Sequence, residues 1–376
     1  MKKLLFLLLF FITTGTLSLH SQDADAALTA ELNELFTAAQ LPGLAVAVVN
    51  AEGTLYRQAF GTGFSSDQRH YVASISKTFI GLALMQLVEA GQLELSTPVN
   101  NVLPFQVTNP YHPGVAITVE HLARHTSGIR YEGLEVASWF LDAGARIDKK
   151  SFSKEAYRDF TAWSKNTPQE LGTFLRDCLT NDGAHYSRKR FSRKRPGAEY
   201  AYSNLGAALA AYLVELKTGE DFATYVEKLL QEKFAFPPQV WRGPQHADLP
   251  MAYFQDGILV PNYHPILYPA GGMLLSCDEL SAYLTEIIRG LQGKSDLLTP
   301  ASFATMLTKG TTGNGIFWEI NGNRAGHNGG NYGTTALMSF DKATGIGKIL
   351  LTNISSYQDE SKLRQIVKVW QKLDEY

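Results

Sequence analysis

Hydrophobic residues recur at strand spacing near both ends of the chain. Residues 44–49 and 54–60 are β-rich runs, and the polar residues 50–53 between them predict a β-hairpin. Strand-like runs resume close to the C-terminus, with turns at Asn321-Gly322 and Thr344-Gly345. These later runs are residues 317–320, 325–326, 335–340 and 348–351. We therefore expect an antiparallel sheet to which both ends of the chain contribute strands.

Helical spacing dominates the rest of the chain. Residues 27–40 carry apolar side chains three or four positions apart, which predicts an amphipathic helix. Residues from 79 to about 282 alternate between helical patterns and long loops. The segment 360–373 predicts a last helix, and the residues expected to share its apolar face are Leu363, Ile366, Val367 and Trp370.

These patterns together predict an α/β (α+β) fold. It consists of a central antiparallel sheet flanked by helices, with a large, mostly helical inserted domain. We place the sheet part at about 27–70 and 283–376, and the helical part at about 71–282.

The first residues have the regions of a secretory signal peptide. Lys2 and Lys3 precede an apolar run at 4–12 and then several small residues. The apolar run is about half as long as a membrane-spanning helix needs, so cleavage after Ser21 is favoured over a membrane anchor. The sequence thus predicts a signal peptide at 1–21 and a mature domain at 22–376 that is periplasmic or secreted, with no stable membrane span.

Charge and cysteine content limit the classes of function. The 376-residue chain has a net charge of −2, whereas nucleic-acid binding needs a basic face, so we expect a small-molecule or peptide substrate and no nucleic-acid partner. The sequence has neither a Cys/His cluster with metal spacing nor a glycine-rich phosphate loop, so no metal and no cofactor is expected. Cys178 and Cys277 have apolar neighbours and are expected to be separate buried thiols, with a disulfide as the alternative.

Ser74 and Lys77 stand at the start of a strongly apolar helical segment, residues 79–88, which Gly91 ends. Positions three apart share a helix face, so the lysine amine can reach the serine hydroxyl. The pair predicts a nucleophile and a possible base on one rigid element. The alternative is a helix-capping serine followed by a solvated lysine. Residues 151–154 also spell Ser-x-x-Lys, but no buried helix follows them.

Two further motifs carry side chains suited to chemistry. Tyr202-Ser-Asn204 follows a proline-glycine turn, where a phenol can project into a cleft and relay a proton; a packed tyrosine beside a helix-capping asparagine is the alternative. His327-Asn-Gly329-Gly330 ends a predicted strand and has few side chains, so a neighbouring group can lie against its backbone. For His327 alone, a structural histidine is the alternative.

Three other features receive structural roles. Residues 217–219 spell Lys-Thr-Gly but have the position of a helix end, and His125 is given a structural rather than a catalytic role. The basic run at 187–195 predicts a solvated loop. The alternative is a lid whose arginines meet a substrate carboxylate; they are Arg188, Arg190, Arg193 and Arg195.

Taken in this order and with these separations, the motifs Ser74-x-x-Lys77, Tyr202-x-Asn204 and His327-x-Gly329 resemble those of the serine β-lactamase and penicillin-binding DD-peptidase superfamily. The resemblance is strongest to its class C-like branch, which includes class C β-lactamases, DD-carboxypeptidases, D-aminopeptidases and esterases. Similar residues occur over most of the mature chain. The resemblance implies a β-lactamase/transpeptidase-like fold and a β-lactamase-related serine hydrolase.

The resemblance also implies a mechanism. Ser74 is expected to form an acyl-enzyme, while Lys77 and Tyr202 remove its proton and return one to the leaving group. Whether Lys77 or Tyr202 is the base stays open. Asn204 is expected to hydrogen-bond the substrate amide and Lys77.

The glycine-rich strand has implied roles as well. The N–H groups of Ser74 and Gly330 are expected to form the oxyanion hole. Gly329 is expected to contact the substrate, and His327 to orient it or neutralise its carboxylate. Class C β-lactamases carry lysine where this chain has His327, whereas peptidase-like and several esterase-like members often carry histidine. This departure argues against efficient β-lactamase activity.

Three functions are consistent with the resemblance. The first is an exported hydrolase of an amide or ester, such as a D-amino-acid peptide or a β-lactam. The second is an esterase or acyltransferase that hands the acyl group to a small alcohol or amine. The third is a penicillin-binding sensor that is acylated without turnover. The segment 133–197 is long for the family, so the substrate cleft is expected to be reshaped.

Overall fold

The computed structural model describes residues 13–241, 251–255, 257–355 and 360–376, with the backbone alone for 13–23. The helices are α1 Thr13–Ala39, α2 Ser76–Glu89, α3 Val119–Ala123, α4 Lys154–Trp163, α5 Leu171–Leu179, α6 Asn204–Thr218, α7 Phe222–Phe234, α8 Cys277–Leu291, α9 Pro300–Met306 and α10 Glu360–Lys372. The strands are β1 Leu44–Asn50, β2 Gly53–Phe60, β3 His70–Tyr71, β4 Trp139–Leu141, β5 Tyr253–Gln255, β6 Ile258–Leu259, β7 Tyr263–Pro265, β8 Leu274–Leu275, β9 Glu319–Asn321, β10 Arg324–Asn331, β11 Thr334–Asp341 and β12 Gly347–Thr352.

A six-stranded antiparallel sheet in the order β2-β1-β12-β11-β10-β9 confirms the predicted fold class. Strand β1 lies inside this sheet and is buried on both faces. Ala45 and Ala47 face the core shared with the helical part, whereas Val46 and Val48 face a second core under α1 and α10. Full burial of each valine contributes about 1.5–3 kcal/mol. Helices on both faces explain why the run at 44–49 is apolar throughout.

The strands near the C-terminus differ from their predicted bounds. Phe317 is not in a strand, because its backbone has φ +54° and its N–H donates to the carbonyl oxygen of Ala123 at 2.8 Å. Strand β10 runs over eight residues rather than the predicted 325–326. Its three glycines lower the local strand propensity, and pairing with β11 along its whole length compensates.

The terminal helices also depart from the predictions. Helix α1 begins at Thr13 rather than at residue 27, so the predicted cleavage position after Ser21 lies within it, and the predicted signal residues 1–12 lie outside the described residues. In α10, Ile366 is buried as predicted, but Leu363 and Val367 are 42% and 39% exposed. Val369, and Leu373 just after the helix, are buried instead, and Trp370 packs against the same core. The buried side is thus rotated from the predicted face towards Val369, which is the side that packs against α1.

Helix α2 is buried on all sides from Ser76 to Met85, as its apolar composition predicts, and Gly91 follows it with φ +65°. Cys178 and Cys277 are separate, buried thiols, which confirms the preferred expectation. Among the described residues, no helix is both long and apolar enough to cross a membrane.

The basic run at 187–195 is not solvated throughout. Arg190 is buried, and its guanidinium donates to the carbonyl oxygen of Glu132 at 2.6 Å. Arg188 lies over the ring of Tyr111, 4.5 Å from the ring centroid. The solvated-loop prediction is therefore wrong at Arg190, because the carbonyl oxygens of Glu132 and His185 accept hydrogen bonds from its two terminal nitrogens inside the protein.

Candidate active site

The turn that carries Ser74 connects strand β3 to helix α2. It is a single 3₁₀ turn, Ala73–Ile75, and Ala73 has φ +44°, a backbone conformation that is strained for a residue other than glycine. The buried hydroxyl of Ser76 donates to the Ala73 carbonyl oxygen at 2.6 Å and accepts from the Met273 N–H at 3.2 Å. The Val72 N–H donates to the Met273 carbonyl oxygen at 3.0 Å. Met273 therefore fixes the turn from both sides.

Lys77 lies below Ser74 and is fully buried. Its Nζ donates to the Ser74 Oγ at 3.0 Å and to the carbonyl oxygen of Ala270 at 2.5 Å. Burial lowers the pKa of Lys77 well below its usual value, because the ammonium form loses its hydration, and the Glu319 carboxylate opposes part of that shift. The helix spacing thus places the Lys77 amine beside the Ser74 hydroxyl, and burial shifts that amine towards its neutral form.

Tyr202 approaches the same oxygen from the segment before α6. Its hydroxyl donates to the Ser74 Oγ at 2.8 Å, and the Lys77 Nζ lies 4.9 Å from the centroid of its ring. The next residue, Ser203, caps α6 by accepting the Gly206 N–H at 2.9 Å. Two hydrogen-bond donors from distant parts of the sequence therefore converge on one serine oxygen.

His125 supports Tyr202 from behind. The two ring centroids lie 4.6 Å apart, and the His125 Nδ1 accepts the N–H of Ser203 at 3.2 Å. The His125 carbonyl oxygen accepts the Ala201 N–H at 2.7 Å, so His125 contacts the residues on both sides of Tyr202. Burial, with Lys77 and His327 nearby, holds the pKa of His125 well below its usual value. The ring is neutral, in keeping with the predicted structural role.

Asn204 is the first residue of α6 and lines the cavity beside Ser74. The predicted hydrogen bond between Asn204 and Lys77 is wrong in this structure. The Lys77 amine donates instead to the Ala270 carbonyl, while the Asn204 Oδ1 has no hydrogen-bond partner among the described residues. Its predicted contact with the substrate amide stays a prediction.

Strand β10 packs its glycines directly against the Ser74 turn. A Cβ added to Gly329 would lie 2.2 Å from the Val72 carbonyl oxygen and 3.1 Å from the Ser74 nitrogen. The group that lies against this strand is therefore the nucleophile turn itself. Strand β9 pairs with β10 only at Arg324–Gly326, so within the described sheet the remainder of β10 has an open edge. Gly330, near the end of that edge, lines the cavity.

His327 lies close to the cluster, and its neutral state fits only one of its two predicted roles, that of orienting the substrate. Its ring centroid lies 6.3 Å from that of Tyr202, and its Nδ1 lies 2.6 Å from the Asn328 carbonyl oxygen, so Nδ1 carries the proton. Burial and the nearby Lys77 lower the pKa of His327 to about 3. The imidazole is neutral at pH 7 and does not supply the positive charge that neutralising a substrate carboxylate requires. Its Nε2 can act as a hydrogen-bond acceptor.

A cavity of about 50 Å³ opens beside the Ser74 hydroxyl. The described residues that line it are Ala73, Ser74, Tyr131, Ser138, Trp139, Asn204, Pro265, Leu267, Ala270, Gly271, Gly330 and Asn331. The four arginines of the lid alternative are not among them. The second Ser-x-x-Lys motif lies elsewhere, and its Ser151 hydroxyl donates to the Asp148 carboxylate at 2.8 Å.

Comparison with known proteins shows that the similarity covers most of the chain and not only these motifs. A family model described as Beta-lactamase matches residues 26–369, which include the whole Ser74 cluster. The chain belongs to the Beta-lactamase family. Esterase EstB of Burkholderia gladioli is 28% identical over 328 residues, which cover 75% of this chain and 76% of the esterase.

Solved structures in the same fold agree. The octameric penicillin-binding protein homologue from Pyrococcus abyssi gives a TM-score of 0.67 at 23% identity, over 88% of this chain and 73% of the homologue. EstCE1, a hydrolase with promiscuous acyltransferase activity, gives a TM-score of 0.65 at 17% identity, over 92% of this chain and 99% of EstCE1. The family membership and the Ser74 cluster identify a serine hydrolase of the Beta-lactamase family.

Sequence reasoning missed several parts of this Beta-lactamase family site. The Ala270 carbonyl that receives the Lys77 amine is a backbone group and has no sequence signal. Glu319, the carboxylate that acts on Lys77, lies in the predicted strand 317–320, and the sequence predicts no functional role for it. Tyr131 and Trp139 line the cavity, and neither belongs to a predicted motif. An unusual density of aromatic residues around 131–163 was the available signal.

Proposed function

We propose that this protein is an exported serine hydrolase that forms an acyl-enzyme on Ser74 and acts on an amide or ester, such as a D-amino-acid peptide or a β-lactam. The observation that carries the proposal is the pair of hydrogen bonds that the Ser74 Oγ accepts, from the Lys77 Nζ at 3.0 Å and from the Tyr202 hydroxyl at 2.8 Å. A hydroxyl with a base in direct contact meets the main requirement for a nucleophile. Membership of the Beta-lactamase family supports the same class of reaction.

In the proposed mechanism, Lys77 is the base. Its lowered pKa favours the neutral amine, which takes the Ser74 proton as the Oγ attacks the substrate carbonyl carbon. The carbonyl oxygen becomes an oxyanion. When the tetrahedral intermediate collapses, the bond to the leaving group breaks and the Tyr202 hydroxyl gives that group a proton. The Lys77 ammonium then returns a proton to Tyr202, and water releases the acyl group through the same transfers.

The substrate-binding groups are proposed on the cavity wall. The N–H groups of Ser74 and Gly330 hold the oxyanion, and Asn204 bonds the substrate amide. Two observations support this: Gly330 and Asn204 both line the cavity with Ser74, and Gly329 holds strand β10 against the Ser74 turn. His327 orients the substrate as a neutral acceptor. Export rests on the predicted signal peptide at 1–21.

A substrate panel tests the proposed function. Wild type and Ser74→Ala are assayed against β-lactams, D-Ala-D-Ala peptides and short-chain esters. We expect at least one substrate class to be hydrolysed by wild type and to lose activity by about a thousandfold or more in Ser74→Ala. Full activity of Ser74→Ala on the best substrate contradicts the proposal.

Esterase or acyltransferase activity is the second candidate. The relationship to Esterase EstB, at 28% identity over three quarters of both chains, supports it. Product analysis with added methanol or a small amine separates the two outcomes, because hydrolysis yields only the free acid whereas transfer yields a new ester or amide. The non-turnover sensor predicts an adduct that persists after excess substrate is removed.

A further inference from the structure

The cavity beside Ser74 has an aromatic wall that the catalytic cluster does not use. Tyr131 and Trp139 form this wall, and Pro265 and Leu267 contribute further apolar lining. Trp139 belongs to strand β4, within the long segment 133–197, and lies opposite Pro265 of strand β7. The segment that is unusually long for the family therefore supplies part of the wall of the reaction site.

The Trp139 ring is held on several sides. It stacks on Trp163 with ring centroids 5.3 Å apart, and it meets the Tyr263 ring edge-on, also at 5.3 Å. The Trp139 carbonyl oxygen accepts a hydrogen bond from the Asn166 side chain at 2.7 Å. The Trp163 Nε1 in turn donates to the Glu135 carbonyl oxygen at 3.0 Å. Because Trp163 stacks on the ring, Tyr263 contacts it and its backbone is hydrogen-bonded, the ring cannot move aside without breaking these contacts.

The polar edge of Trp139 is fixed by a short hydrogen-bond chain. Its Nε1 donates to the Tyr131 hydroxyl at 3.1 Å, and that hydroxyl lies 2.7 Å from the buried Ser138 Oγ. Burial raises the pKa of Tyr131 to about 12, so its phenol keeps its proton across the pH range of an assay. The Ser138 carbonyl oxygen accepts the N–H of Ile266 at 2.8 Å. Tyr131 and Trp139 are thus linked to each other and, through Ser138, to Ile266 just after strand β7.

The size of the cavity limits what can enter it. Its volume of about 50 Å³ corresponds to about four water-sized spheres at 10–15 Å³ each. Since a cavity of about 150 Å³ holds benzene, a space one third as large suits an acyl chain of about two to four carbons. A longer chain on this side of the carbonyl meets the Tyr131 and Trp139 side chains.

The position of the cavity relative to Tyr202 assigns it to the acyl side. In the mechanism above, the Tyr202 hydroxyl protonates the leaving group, so the leaving group lies on the Tyr202 side of the carbonyl. Tyr202 is not among the described residues that line the cavity, whereas Ser74, Asn204 and Gly330 are. The substituent inside the cavity is therefore the one that stays attached to the carbonyl.

We propose that Tyr131 and Trp139 act as specificity-determining residues that favour substrates with a short acyl chain. This inference rests on the proposed function, because it names the substrates of the same serine. It places short-chain acyl esters inside the substrate range, ahead of peptides and β-lactams, whose acyl groups are larger. It places medium- and long-chain fatty acyl groups outside it.

The test uses p-nitrophenyl esters that share one leaving group: acetate, butyrate, hexanoate and octanoate. We expect the kcat/KM of wild type to fall by about tenfold or more between butyrate and octanoate. Trp139→Ala should raise the octanoate-to-acetate ratio by about tenfold or more, and Tyr131→Phe, which keeps the ring but removes its hydroxyl, should raise it less. A parallel series of acetate esters of methanol, butanol and octanol should keep the same ratios in both variants.

The possible outcomes separate the two proposals. Each ester is also tested for acylation of Ser74 by mass spectrometry, with circular dichroism to confirm that the variants are folded. A wild-type profile that is flat from acetate to octanoate overturns the size restriction and leaves the serine mechanism standing. An unchanged ratio in folded Trp139→Ala and Tyr131→Phe overturns the role of these residues. If no ester acylates Ser74 but a D-Ala-D-Ala peptide or a β-lactam does, the size restriction fails and the proposed function stands; if none of them acylates Ser74, both fail.

Discussion

The Nζ of Lys77 lies 3.0 Å from the Oγ of Ser74, and no part of the Lys77 side chain reaches solvent. A base needs a free electron pair at the working pH, and a lysine in water has a pKa of about 10.4. Burial lowers the pKa of Lys77 well below that value. The same enclosure that fixes the distance therefore also shifts the amine towards its neutral, reactive form.

The pH dependence of kcat/KM follows from Lys77. Activity requires the neutral amine, so the acid limb of the profile reports the lowered pKa of Lys77, and activity is full above that pKa. We expect a plateau well below pH 10. Lys77→Arg, which stays charged, should lose about a hundredfold or more in kcat/KM. Profiles of both proteins on the best substrate check this, and a wild-type rate that rises steadily to pH 10 contradicts it.

Gly329 is expected to be intolerant of a side chain. In Gly329→Ala the new Cβ would lie 2.2 Å from the Val72 carbonyl oxygen, so strand β10 or the Ser74 turn must shift. A shift of about 1 Å costs about a hundredfold in kcat/KM. Gly114→Ala is the matched control, because a Cβ there meets nothing within 4 Å. Equal activity of the two variants would show that the close approach is unimportant.

His125 is expected to act through Tyr202. In His125→Phe the ring remains, but the Ser203 N–H loses the acceptor that it has at 3.2 Å, and the segment that carries Tyr202 loosens. We expect kcat/KM to fall by about tenfold, with KM less affected. A double-mutant cycle with Tyr202→Phe provides the test. The free-energy cost of the double substitution, from kcat/KM, should be smaller than the sum of the costs of the two single ones. A cost equal to that sum would show that His125 acts independently of Tyr202.

His70 is expected to make the protein sensitive to acid. It is buried against the Phe64 ring, with centroids 4.2 Å apart, and burial lowers its pKa to about 3. The unfolded state, with a pKa near 6.5, binds the proton first. Stability therefore falls as pH drops from about 6.5 towards 3, at about 1.4 kcal/mol per pH unit.

His70→Phe removes this proton and keeps the ring. Urea unfolding of both proteins at pH 7.5, 5.5 and 4.5 measures the effect, and the difference at pH 7.5 accounts for changes in packing. The variant should lose less stability than wild type between pH 5.5 and 4.5, by about 1.4 kcal/mol. If the free energy of unfolding falls equally in both proteins between pH 5.5 and 4.5, His70 does not contribute to acid sensitivity.

Local patterns in the sequence predict much of the fold and of the site. The spacing of Ser74 and Lys77 places both on one side of a turn because helix geometry is local. The hairpin of β1 and β2 follows from its turn residues and strand runs. The three motifs identified Tyr202 and Gly329, and both lie at the Ser74 turn in the structure.

The remaining features depend on contacts between distant segments. The apolar side of α10 is broad, and only packing against α1 selects the part with Ile366 and Val369 for burial. The neutral state of His327 follows from burial and from Lys77, neither of which its own neighbours in the chain reveal. The wall formed by Tyr131 and Trp139 arises because β4 pairs with β7, more than a hundred residues later.

The most direct test of the mechanism is to identify the atom that is acylated. Wild type and Ser74→Ala are exposed to p-nitrophenyl acetate, quenched in acid during turnover, digested and analysed by mass spectrometry. We predict one acetyl group on the peptide that contains Ser74 in wild type and none in the variant. An acetyl group on another residue, with hydrolysis unchanged in Ser74→Ala, would contradict the assignment of Ser74 as the nucleophile.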